Sequence, residues 1–196
     1  MKEIIENSLK RAMSYKQYRL LVSKLIEEGK STGETQTEDL LNYSVLNDKR
    51  MNRLDKTIEI SEEIKNKVKA VEKEQTWLVL TEGWCGDAAQ NVPVINKIAE
   101  ENSNINLQLV LRDENIELMD EFLTNGGRSI PKLIALDKNH NVIGTWGPRP
   151  TEATVMVEEY KEKNGKLDAE FKKDLQIWYN KNKGRNTEQD LISLLS

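Results

Sequence analysis

Cysteine occurs once in this 196-residue chain, at Cys85. A single thiol excludes an internal disulfide and suits a reducing compartment. Histidine is also single: His140 lies in the turn-like stretch KNHN. A solvated side chain is the ordinary reading there, so neither a Cys–His pair nor a zinc or other metal site is expected. No apolar run approaches the roughly 20 residues that cross a bilayer. The opening MKEIIENSLKRAM lacks the continuous apolar core of a signal peptide. Positive charge is not in excess either. The net charge is −4, which gives no global reason to expect a nucleic-acid partner, and the locally basic NDKRMNRLDK (47–56) reads as a solvated helix face. Internal repeats and low-complexity segments are missing. With 32% charged and 37% hydrophobic residues, the chain reads as a cytoplasmic protein with one sizeable core and appended helices.

The first seventy residues have helical texture. Ser14 followed by Gln17 is a capping-box signature, and Tyr18, Leu21, Val22 and Leu25 recur behind it at helical spacing before Gly29. Thr37 with Glu38 and Asp39 opens a long helix carrying Leu40, Tyr43, Leu54 and Ile58, and Ser61 opens another. From residue 76 strands and helices alternate. TWLVLT, INLQLVLR and PKLIALD are buried-strand runs, and VIGTW reads as an antiparallel return after the KNHN turn. Between them, NIELMDEFLTNGG is a helix ending at its glycine pair. Val155, Met156 and Tyr160 of the following helix are expected to face the sheet. Beyond Gly165, Phe171, Leu175 and Trp178 share one helix face, and TEQDLISLLS is a small capped helix. The order from residue 76 is β–α–β–α–β–β–α, an α/β class with a parallel pair and an antiparallel edge.

Cys85 stands where the first strand meets a helix. Unpaired N–H groups at that helix end favour thiolate, the nucleophilic form. Gly86 permits the tight turn and Trp84 shields one side, whereas the Asp87 carboxylate repels a thiolate and opposes its formation. The alternative is that Cys85 is a small buried hydrophobe.

The stretch WCGDAAQNVPVINKIA resembles the active-site helix of thioredoxins, which carry Trp-Cys-Gly-Pro-Cys. Pro93 stands at the family's helix-kinking offset, and GGRSIPKLIAL is similar to the segment bearing the cis-proline, which maps onto Pro131 with Ile130 before it. The resemblance covers about residues 70 to 162. It implies a thioredoxin fold (βαβαββα, mixed sheet) at 71–162, with a helical N-terminal extension at 1–70 and C-terminal helices at 163–196. It also implies a site in which Cys85 reacts while Trp84, Gly86, Asp87, Ile130 and Pro131 contact the substrate. Arg112 and Arg128, ending the second strand and preceding Pro131, are then candidates to approach the thiol and favour thiolate, with ordinary surface arginines as the alternative.

Two positions depart from the family. Its resolving cysteine is Ala88 here, and the buried Asp six residues before the nucleophile is Val79. A dithiol reductase attacks with one sulfur and releases product with the other, and this chain has only the first. Two functions follow as expectations. One is a monothiol redox protein whose mixed disulfides, with a protein or small-molecule partner, are resolved by an external thiol without a cofactor. The other is a redox-inactive module binding an extended peptide between Trp84 and the Ile130–Pro131 loop. The oligomeric state is left open.

Overall fold

Four helices precede the first strand in the computed structural model, which describes residues 1–195. They are α1 (Lys2–Leu9), α2 (Tyr15–Glu27), α3 (Glu38–Thr57) and α4 (Glu62–Lys69). Ser14 and Gln17 form the reciprocal capping box of α2, and the Thr37 hydroxyl accepts from the Leu40 N–H to start α3. Next come β1 (Gln75–Thr81), α5 (Gly86–Ala99), β2 (Ile105–Leu111), α6 (Ile116–Glu121), β3 (Lys132–Asp137) and β4 (Val142–Trp146). The chain ends with α7 (Thr151–Asn164), α8 (Ala169–Asn182), α9 (Arg185–Leu191) and a short 3-10 turn at Ile192–Leu194.

The sheet has the order β2-β1-β3-β4. β1 and β2 are parallel, in register from Gln75↔Ile105 to Thr81↔Leu111, with α5 as the crossover. β3 runs antiparallel to both β1 and β4. Trp77, Leu78, Val79 and Leu80 are completely buried although successive side chains point to opposite faces. Both faces of β1 are therefore covered, which is why its sequence is continuously apolar. One hydrophobic cluster runs from Ile5 in α1 through Tyr18, Val22 and Met51 to the sheet, and on to Leu191 and Leu194. Met13 adds an isolated antiparallel bridge to Leu109 in β2.

Several elements differ from the sequence reading, each for a packing reason. The buried row of α3 is Ser44, Asn47, Met51 and Leu54, while Tyr43 is exposed. Its first turns meet polar loops on two sides, so Ser44 bonds Ser31 of the α2–α3 loop and Asn47 Nδ2 donates to the Gly83 carbonyl ahead of α5 (3.0 Å). The stretch 47–56 is thus not simply a solvated face. α6 stops at Glu121 rather than at the glycine pair, because Thr124 and Gly127 exchange both backbone hydrogen bonds around a left-handed Asn125–Gly126 turn. α7 turns Ala153 and Val157 toward α8, leaving Val155 exposed. The matching row on α8 is Phe171, Leu175 and Tyr179, spaced four apart, so Tyr179 takes the place expected for Trp178. α9 begins at Arg185 instead of Thr187, which is buried and donates to Asn91 Oδ1 (2.7 Å). Gly184 precedes α9 at φ 82 and lies so close to Val94 that a side chain would collide.

Asn47 joins the helical extension to the turn before α5 through its Nδ2, while its Oδ1 accepts from Arg50 one helical turn on. Asn47→Ala is expected to cost about 2 kcal/mol, the price of a buried carbonyl left unpaired. Urea unfolding measures it, with an unchanged midpoint counting against this role.

Candidate functional site: a buried thiol at the head of a helix

Cys85 is the N-cap residue of α5, with extended backbone (φ −81, ψ 117). Its Sγ accepts from the Ala88 N–H (3.4 Å) and donates to the Ile130 carbonyl (3.3 Å), the carbonyl of the cis Ile130–Pro131 peptide. The Ala88 N–H favours a negative sulfur, whereas a carbonyl oxygen favours the protonated form. The surroundings decide between them. Burial pushes the thiol up to about 12, the Asp87 carboxylate adds to that, and the Ala88 and Asp87 N–H groups and Arg149 only partly oppose it. At rest the sulfur is a thiol.

Asp87 is held on two sides. Arg149 Nη2 lies 2.6 Å from Oδ2, and the Tyr179 hydroxyl donates to Oδ1 (2.9 Å). Asn91 donates both to the Asp87 carbonyl and to the Tyr179 oxygen, tying α8 to the first turns of α5. Burial raises the Asp87 carboxyl, with Arg149 and Tyr179 pulling the other way. Arg149 arrives on the β4–α7 connection, which passes so near the Pro131 carbonyl that a side chain at Gly147 (φ 110) would collide with it.

A second carboxyl sits behind the turn. Glu82 is fully buried and accepts from the Asp113 N–H (3.0 Å). Its other oxygen has no partner among the described residues. Burial pushes this carboxyl up to about 7, against the Thr32 hydroxyl and the Asp113 N–H. Thr32 also accepts from the Gly83 N–H (2.9 Å), and the buried Tyr18 hydroxyl pairs with Thr81. The extension therefore supplies the polar backing of the Gly83–Cys85 turn.

In front of the turn lies a cleft of about 570 Å³ bounded by α3, α8 and Arg149, with Trp84, Cys85, Gly86 and Asp87 in its lining. Trp84 carries the Arg112 guanidinium over its ring at 4.8 Å, and Arg112 is bonded to Asp113. Arg128 pairs with Asp120 at an exposed position. Neither of these arginines is among the main charges acting on the sulfur. That place belongs to Arg149, between two prolines in the sequence. Among the described residues no cluster of metal-ligating side chains forms, and no helix is long and apolar enough to cross a membrane.

A family model described as Thioredoxin matches residues 33–161. The chain belongs to the thioredoxin family. The matched region takes in α3, whose Asn47 holds the Gly83 carbonyl of the cysteine turn, and α4. No curated protein matches the sequence. Among solved structures, a protein of unknown function from Pseudomonas aeruginosa superposes with TM-score 0.61 at 15% identity, covering 76% of this chain and 84% of its own. An HIV epitope scaffold superposes with TM-score 0.58 at 15% identity, covering 88% and 96%. At that identity both likenesses speak to the fold alone.

In this thioredoxin-family chain, sequence reasoning missed Glu82, Asn47, Arg149 and Tyr179. A carboxylate directly after an apolar strand and three residues before the cysteine was the one readable signal. Glu82 binds its proton more tightly folded than unfolded, so its stabilising contribution is complete below about pH 4.5 and falls as pH rises to about 7. A shift of that size corresponds to about 3 kcal/mol. Glu82→Gln is expected to flatten the loss of stability across this window, measured by urea unfolding at stepped pH. Asp87→Asn is expected to lower the thiol's apparent pKa and speed alkylation about tenfold near neutral pH, one unit's worth. An unchanged pH–rate profile would contradict the repulsion.

Proposed function

We propose that this thioredoxin-type protein performs thiol–disulfide exchange through Cys85 alone, forming mixed disulfides that an external thiol resolves in a reducing, cytoplasmic setting. The supporting observation is the placement of the sulfur. It caps α5 on the Ala88 N–H, faces the Ile130 carbonyl ahead of Pro131, and opens on a cleft. With the thiol pushed up to about 12, thiolate amounts to on the order of one molecule in a hundred thousand at pH 7. Attack therefore depends on what the substrate does to the site. A bound chain or ligand that takes over the Ile130 carbonyl removes the acceptor holding the proton, and an anion released beside Arg149 takes up that proton.

The burial of Cys85 also favours a second reading, a redox-inactive module that binds an extended peptide between Trp84 and the Ile130–Pro131 loop. Reactivity of the folded protein separates the two. Under exchange, a small aromatic disulfide forms a lasting adduct at Cys85 in the native state. Ala88→Cys, one helical turn on, then shortens the adduct's life by closing an internal disulfide. A native thiol inert to the probe, yet labelled at once in urea, would decide for the binding module.

A further inference from the structure

The cleft over Cys85 is locally cationic in a chain whose net charge is −4. Arg50, Arg149, Lys172 and Lys173 line it, and Asp87 is the only acidic residue in the lining. Arg149 is matched to Asp87, whereas Arg50, Lys172 and Lys173 form no ion pair among the described residues. What sets these charges apart is their convergence on one cleft with a single acid, whereas pairs such as Lys65–Glu62, Lys67–Glu63 and Arg128–Asp120 are neutralised in place. Glu170 and Asp174 share α8 with the two lysines but do not line the cleft.

Two donors converge at Gly86, the residue after Cys85. A Cβ built on Gly86 would lie 3.6 Å from both Arg50 Nη1 and Gln176 Nε2. The missing side chain thus leaves a space between a guanidinium and an amide, next to Cys85. Gln176 is held in place through its oxygen, which accepts from Gln90 (2.9 Å). Burial lowers the Arg50 pKa, with Arg53 adding repulsion, so this charge gains from a bound anion. The volume, about 570 Å³, falls in the range of small-molecule sites.

We infer that the cleft is the site of an anion-bearing low-molecular-weight thiol, and that this thiol is the external resolving group, an inference resting on the exchange reading of Cys85. The chemistry balances without a cofactor. Cys85 as thiolate attacks a disulfide P–S–S–P′, the S–S bond breaks, and P′–S⁻ takes the proton Cys85 gave up. The bound thiol RSH, as RS⁻, attacks the Cys85 sulfur and releases P–S⁻, which takes the proton from RSH, leaving Cys85–S–S–R. A second RSH regenerates the Cys85 thiol and departs as RSSR. Two RSH are oxidised and one disulfide is reduced.

The reverse of the last step gives the test. The folded full-length chain is mixed with glutathione disulfide, which carries carboxylates, coenzyme A disulfide, which carries phosphates, or neutral 2-hydroxyethyl disulfide. Adduct formation at Cys85 is followed by intact mass, and each rate is divided by that for the chain unfolded in urea. At least one anionic disulfide is expected to exceed the neutral one about tenfold, a usual size for electrostatic focusing in a cleft. The preference is expected to shrink in high salt and in Lys172→Gln/Lys173→Gln, exposed positions whose change leaves the core intact. The larger of the two anionic ratios assigns carboxylate or phosphate. Equal normalised rates for all three, or a preference blind to salt and to the lysines, would overturn the cleft assignment while leaving exchange standing. No adduct on the folded chain with any of them, against ready reaction in urea, would overturn exchange and this inference together.

Discussion

One sulfur holds two hydrogen bonds of opposite demand, and the local architecture follows from satisfying both. As acceptor for the Ala88 N–H, Sγ closes the open end of α5; as donor to the Ile130 carbonyl, it ties that helix to the loop entering β3. A helix cap is normally an oxygen, which accepts a short, strong bond. Sulfur is a weaker acceptor and a larger atom, so the cap works only because burial removes water as a competitor. The same burial keeps the proton on. What makes Cys85 a good structural element thus opposes its ionisation.

The acidic residue beside the thiol has a structural occupation that limits its freedom. Asp87 anchors Arg149 from the β4–α7 connection and Tyr179 from α8, so the charge that suppresses ionisation also assembles one wall of the cleft. Arg149 serves both sides, neutralising Asp87 while favouring a negative sulfur. Moving that guanidinium would change the carboxyl and the thiol together.

The alternating strands and helices, the parallel β1–β2 pair and the place of Cys85 were legible in the sequence because they rest on local signals: apolar runs, cap residues and a turn motif. The partners of the site were not. Arg149 acts on a sulfur more than sixty residues earlier in the chain, and no periodicity encodes that approach. Arg112 and Arg128 stand nearer the expected loops, yet local carboxylates, Asp113 and Asp120, engage them first. The faces of α7 and α8 were misread for a related reason. Periodicity marks an apolar stripe but not which neighbour meets it, and these two helices meet each other.

That pairing sets the cleft wall apart. Ala153 and Val157 of α7 and Phe171, Leu175 and Tyr179 of α8 form a cluster of their own, outside the large core. α8 joins the rest through individual polar links, among them Gln176 with Gln90, Asn180 with Arg53, and Tyr179 with Asn91 and Asp87. Each such link contributes on the order of 1 kcal/mol, far less than a shared apolar interface would. α7 is tied in the same way, Thr151 to Asp190 and Glu152 to Asn186 of α9, so the hairpin rests on the core more through polar bonds than through shared apolar packing. The cleft that Cys85 lines thus has walls of unequal firmness, with α3 rooted in the large core and α8 held to it mainly by polar links.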